Sequence, residues 1–93
     1  MTSDTETRRR RAAYRANHRG TKEMDWLVGR YADATLDQLD GTALDRFEAM
    51  LEMSDVELQR WILDPSLAEG SVFRDLVADL RSFHGLGDDR ASS

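Results

Sequence analysis

The sequence predicts an all-α fold, a compact five-helix bundle in a single domain, and three observations carry that prediction. Apolar residues recur at helical spacing along most of the chain. A single Pro and the lack of any strong period-two run argue against strands. Each candidate helix is apolar on one side only, so the helices bury those sides against one another. At 93 residues there is enough chain for one small domain with a modest core.

The first helix is expected from about residue 5 to 17. Asp4 or Thr5 can cap it, Ala12, Ala13, Tyr14 and Ala16 support it, and Gly20 breaks it. The second runs from about Thr21 to Ala34, where Met24, Leu27, Val28 and Tyr31 fall at i, i+3, i+4 and i+7. Asp40-Gly41-Thr42 is a turn and cap signal for a third helix to about Met53, striped by Ala43, Leu44, Phe47, Met50 and Leu51. Ser54, with Glu57 three residues on, is a capping-box pair for a short fourth helix. Its apolar side is Val56, Leu58, Trp61 and Ile62, with Trp61 read mainly as core, and Asp64-Pro65 ends it. Ser71 can cap a fifth helix carrying Val72, Phe73, Leu76, Val77, Leu80 and Phe83, stopped by Gly85 and Gly87. The domain is expected over residues 8–84, with flexible tails at 1–7 and 85–93. No repeat or separate linker is visible.

Composition excludes several classes. There is no Cys, which removes disulfides, thiolate zinc sites and Cys nucleophiles and fits a reducing compartment. No apolar run is long enough for a membrane span or signal-peptide core, and Asp4 and Glu6 interrupt the basic N-terminus against a transit peptide. His18 and His84 lie far apart near helix ends, in no metal-ligand spacing. Ser54 and Ser71 read as caps, not nucleophiles. No GxGxxG or P-loop is present. No catalytic, metal or cofactor-binding residue is therefore assigned, and the reading favours a binding protein over an enzyme.

Charge is uneven. Residues 1–31 carry eight Lys/Arg against four Asp/Glu, and residues 32–93 five against fourteen. That opens an alternative, a small helical nucleic-acid-binding module using Arg8–Arg11, Arg15 and Arg19. The acidic body would repel phosphate, and a solvated first helix explains the same residues.

The stretch Arg19-Gly20-Thr21-Lys22-Glu23 supports two readings. With Gly20 as N-cap, Glu23 falls at N3 and can reach back as in a capping box, while Asp25 adds to the dipole. Arg19 then has no evident internal partner. Counted at about 100° per residue from Met24, Trp26 sits near 200°, opposite the core stripe, and shares that side with Lys22, Gly29, Arg30 and Asp33. A Trp on a polar face points to an interface, and Gly29 would let another backbone come close. The other reading is that the first helix folds over this side.

These residues carry a resemblance. Arg19-Gly20-x-x-Glu23 opening a second helix, then Met24-Asp25 and Val28-Gly29-Arg30-Tyr31, followed by the Phe47–Ile62 run with its acidic turn and Trp61, resembles the succinate dehydrogenase FAD assembly factors, the small flavinylation factors of bacteria and mitochondria. Thr21 and Met24 depart mildly from the pattern. The resemblance covers about residues 8 to 83. It implies a five-helix bundle with no activity of its own that binds the flavoprotein subunit of succinate dehydrogenase and, in some bacteria, that of fumarate reductase. It implies promotion of covalent FAD attachment to that subunit, the chemistry being autocatalytic in the partner. No cofactor is held stably by the factor itself. Arg19, Gly20 and Glu23 carry over as a partner-contacting surface, with Asp25 as an extension, and Trp26 and Arg30 extend the patch along the helix. A bacterial cytoplasm is expected over a mitochondrial matrix, with a monomer when free and neither nucleic acid nor membrane as partner.

Overall fold

The computed structural model describes residues 4–86. Helix α1 (Asp4–Asn17) has little apolar surface and buries only Ala12 and Ala16. Polar contacts hold it in place. Arg8 forks onto Glu48 (Nη2–Oε1 2.6 Å) and reaches Asp45 at 2.5 Å. Arg15 pairs with Glu52 at 2.7 Å, and Arg9 Nε donates to the Leu39 carbonyl at 2.9 Å. The uneven charge of the sequence is thus partly matched inside the molecule, with the basic helix lying along the acidic one. α1 begins at Asp4, ahead of the domain start expected at residue 8; Asp4 and Glu6 occupy its first turn, where carboxylates suit the helix dipole.

Helix α2 (Lys22–Thr35) buries Met24, Leu27, Val28 and Tyr31 as the spacing requires, and also Gly29 and Ala32. A one-turn 3₁₀ segment, Leu36–Gln38, leads to α3 (Gly41–Leu51). Gly41 has φ +51°, a conformation that favours glycine. Helix α4 (Asp55–Leu63) is capped by Ser54, whose Oγ accepts from Glu57 N–H at 3.1 Å. Pro65 ends it and opens a second 3₁₀ turn, Pro65–Ala68.

Helix α5 (Arg74–Phe83) starts later than expected. Ser71 is not its N-cap. Its Oγ accepts from Phe73 N–H at 2.8 Å and so stabilises a local turn before the helix, which leaves Val72 exposed. At the other end Gly85, with φ +76°, closes a Schellman motif: Leu86 N–H bonds Arg81 O and Gly85 N–H bonds Ser82 O. Gly87 and the remainder of the expected C-terminal tail lie outside the described residues, as do residues 1–3.

The five helices close on one core, with Met24, Val28, Leu44, Phe47, Met50, Leu58, Ile62, Val77 and Leu80 fully enclosed. Trp61 packs against it, partly buried. At the edge, Tyr31 donates to Asp79 at 2.7 Å, and burial, then that carboxylate, pushes the phenol above its usual range. Among the described residues there is no strand, and no buried side-chain nitrogen or oxygen lacks a hydrogen bond.

The α1–α3 contacts carry a pH signature. The Arg15 hydrogen bond, reinforced by its charge, holds the Glu52 carboxyl below the usual range. Its folded value is therefore lower than its unfolded one. The stabilisation is complete above the unfolded value of about 4.3 and fades as pH falls through the folded one. The Tm difference between wild type and Glu52→Gln should be constant from pH 7 to about 5 and narrow below about pH 4. A difference that instead shrank on raising pH would show that Glu52 is not held by Arg15.

Candidate functional site

The α1–α2 turn is built differently from the capping-box reading. The N-cap of α2 is Thr21, with φ −133° and ψ 158°, and its Oγ1 accepts from Met24 N–H at 3.2 Å. A hydroxyl capping side chain one residue on takes the position that Gly20 was expected to fill. Glu23 therefore sits in the first turn without reaching back. Its Oε1 accepts from Gln59 Nε2 of α4 at 2.9 Å, and the residue stays exposed. The Asp25 carboxylate takes the backbone N–H of Arg19 in a short hydrogen bond.

Arg19 was expected to lack an internal partner, and it has three for its guanidinium. Nε donates to Asp55 Oδ1 at 2.6 Å, Nη1 to Leu51 O at 2.8 Å and Nη2 to Met53 O at 2.7 Å. Those two carbonyls belong to the end of α3 and the turn after it, where helical carbonyls lack intrahelical donors. The side chain is only 7 % exposed, against 25 % for Asp55. A planar fork is suited to three acceptors spread around one point. Gly20 lies directly above: its N–H donates to Asp55 Oδ2 at 2.6 Å, and a Cβ there would sit 2.5 Å from the same oxygen. Its φ is not positive, so what glycine provides here is room for the Asp55 carboxylate.

The outward side of α2 carries Glu23, Trp26 and Arg30, spaced i, i+3 and i+7 on one face. Trp26 is 50 % exposed. The first helix does not cover it; His84 at the end of α5 does so in part, with ring centroids 4.5 Å apart. His84 Nε2 in turn donates to Leu27 O at 2.7 Å, tying α5 to α2. Arg30 is exposed and makes no hydrogen bond or ion pair among the described residues. Gly29 faces the other way. It is buried under α1, where a Cβ would collide with the Asn17 side chain and sit 3.3 Å from the Asn17 Cα. The backbone that approaches Gly29 is therefore α1 of the same chain.

Two residues of this region escaped sequence reasoning. Asp55 follows a capping Ser and reads as an ordinary first-turn acid; only the fold brings it beneath Gly20. His84 reads as a helix-terminal His, and nothing local indicates its reach to Leu27 or Trp26. His18 does stay local, stacked on Tyr14 at 4.0 Å with Nδ1 donating to Tyr14 O. Among the described residues no group of three or more His, Asp or Glu is placed to hold a metal, and no helix is long and apolar enough to cross a membrane.

Fold and site together define a small helical bundle whose most elaborate polar construction fixes one interhelical turn. A family model described as flavinator of succinate dehydrogenase matches residues 10–84. The chain is 39% identical over 82 residues to an FAD assembly factor of Acetobacter pasteurianus, across 84% of this chain and 75% of that protein. It is 34% identical over 56 residues to the mitochondrial succinate dehydrogenase assembly factor 2 of Meyerozyma guilliermondii, across 60% of this chain and 42% of that one. A third relative, the assembly factor 2 of Aspergillus terreus, is 29% identical over 72 residues, across 77% of this chain and 24% of its own. No solved structure matches the chain at the same significance. The chain belongs to the flavinators of succinate dehydrogenase, the family of its FAD assembly factors.

Proposed function

We propose that this chain binds the flavoprotein subunit of succinate dehydrogenase and promotes covalent attachment of FAD to it. The chain supplies no reacting group; the bond forms within the partner, on FAD that the partner holds. The observation that carries this reading is the turn Arg19–Glu23, locked from below by Arg19 and Asp25 and continued outward by Glu23, Trp26 and Arg30. Glu23 offers the partner an exposed carboxylate beside Gly20, and half-exposed Trp26 is of the type that dominates protein interfaces. Binding assists the reaction by favouring the flavin-ready conformation of the subunit; a factor that held both conformations equally would assist nothing. The same face would serve the fumarate reductase flavoprotein subunit. The free chain acts as a monomer in a bacterial cytoplasm, a placement supported by the bacterial relative, which aligns over most of both chains.

The nucleic-acid alternative loses most of its cations to internal partners: Arg8, Arg9, Arg15 and Arg19 are all engaged, leaving the exposed Arg10 and Arg11. Deleting the gene should abolish covalent flavin fluorescence of the succinate dehydrogenase flavoprotein subunit on a denaturing gel, and the wild-type gene should restore it. Normal fluorescence in the deletion strain would sink the proposal. Glu23→Ala should weaken binding to that subunit roughly tenfold with an unchanged circular dichroism spectrum, because Glu23 makes only an exposed bond to Gln59.

A further inference from the structure

We propose that Asp55, at the start of α4, is a positioning residue of the partner surface, so that recognition depends on two turns and not on the Arg19–Glu23 stretch alone. The inference rests on the proposed function. Both oxygens of one carboxylate are used: Oδ1 accepts from Arg19 Nε and Oδ2 from the Gly20 N–H, each at 2.6 Å. Neighbouring residues separated by 35 and 36 positions from Asp55 are thereby fixed to one side chain. The carboxylate sits in the first turn of α4, where the dipole favours a negative charge, and Ser54 caps the helix beside it.

The consequence is geometric. With Gly20 held by its amide, Thr21 follows as the cap of α2, and the helix start sets the direction in which Glu23 and, one turn on, Trp26 emerge. A hollow lined by Tyr14, His18, Arg19, Gly20, Met53 and Asp55 opens between the two turns. Arg19 and Asp55 form its floor, while Tyr14 and His18 stack at its exposed rim. Replacing Asp55 by Asn leaves one acceptor where two donors need one each, and presents an amide N–H₂ to the other donor. The turn then loses either the Gly20 bond or the Arg19 bond. Bound conformations that were fixed beforehand become one among several, which lowers affinity without deleting any group that touches the partner.

The test compares wild type, Asp55→Asn and Val77→Ala for binding to the non-flavinylated succinate dehydrogenase flavoprotein subunit by calorimetry, at a temperature well below each Tm. Val77 is fully buried in the core, and its truncation lowers Tm without touching either turn. Asp55→Asn should lose affinity by about tenfold, and Val77→Ala should stay within about twofold of wild type, since a chain that remains folded keeps its binding-competent population. The Gly20 amide proton resonance should move upfield in Asp55→Asn and stay in place in Val77→Ala. Wild-type affinity in Asp55→Asn, or an equal loss in Val77→Ala, would overturn the positioning role alone. Failure of the wild-type chain to bind would overturn the proposed function and the inference with it.

Discussion

Arg19→Ala should lower the Tm by roughly 10–20 °C, read by circular dichroism or calorimetry. The guanidinium is almost enclosed, and its removal strands the Leu51 and Met53 carbonyls together with one oxygen of Asp55. Breaking a buried pair by removing one partner costs about 3–5 kcal/mol. Asp55 is 25 % exposed and partly rehydrates, which brings the expected loss to about 2–3 kcal/mol. For a domain of this size each kcal/mol is worth about 4–8 °C. Arg19→Lys should recover less than half of the loss, since one ammonium cannot point donors at three acceptors arranged around a planar fork. If Arg19 instead gripped the partner directly, Arg19→Ala would weaken binding and leave the Tm within about 3 °C of wild type.

Gly29→Leu should destabilise by about 2–3 kcal/mol, again a fall of roughly 10–20 °C. The leucine side chain would occupy the space of Asn17, whose Nδ2 donates to Ala13 O at 2.8 Å and to Asp33 Oδ1 at 3.2 Å. Overpacking costs about 1–3 kcal/mol, and each displaced hydrogen bond adds about 1, against a gain of about 1 for replacing a mid-helix glycine. Gly29→Ala should lose less, about 1 kcal/mol, because its Cβ already displaces the Asn17 side chain from both hydrogen bonds while the helix gain offsets only about one of them. Were Gly29 kept free for a partner's backbone, Gly29→Leu would leave stability unchanged or higher and impair only binding. A thermal melt of the isolated variant separates the two.

Much of the fold was legible because it rests on local periodicity. Met24, Leu27, Val28 and Tyr31 share a face whatever surrounds them, and Pro65 ends α4 by sterics alone. Ser54 was legible as a cap for the same local reason. Ser71 was misread because a hydroxyl before an apolar run can cap a helix or close a turn, and the sequence does not say which. The candidate site was legible in its outward half. Trp26 lies opposite the core by angle alone, and the structure leaves it half exposed. Its inward half was not, since the partners of Arg19, Gly20 and Glu23 are Asp55 and Gln59, some 35 residues on. Gly29 shows the same limit: its angle grouped it with Trp26 and Arg30, yet α1 packs over Gly29 alone of the three.

The bond between Gly20 and Asp55 spans more than a third of the described chain. A turn braced over that distance cannot set while only its own end of the polypeptide exists. During synthesis the first two helices can form early, but their junction lacks the Asp55 bonds to Arg19 and Gly20 until α4 has emerged and docked. On the proposed function, a chain cut short before α4 would lack the brace that orders the proposed face, so incomplete copies would compete poorly with finished ones for a flavoprotein subunit.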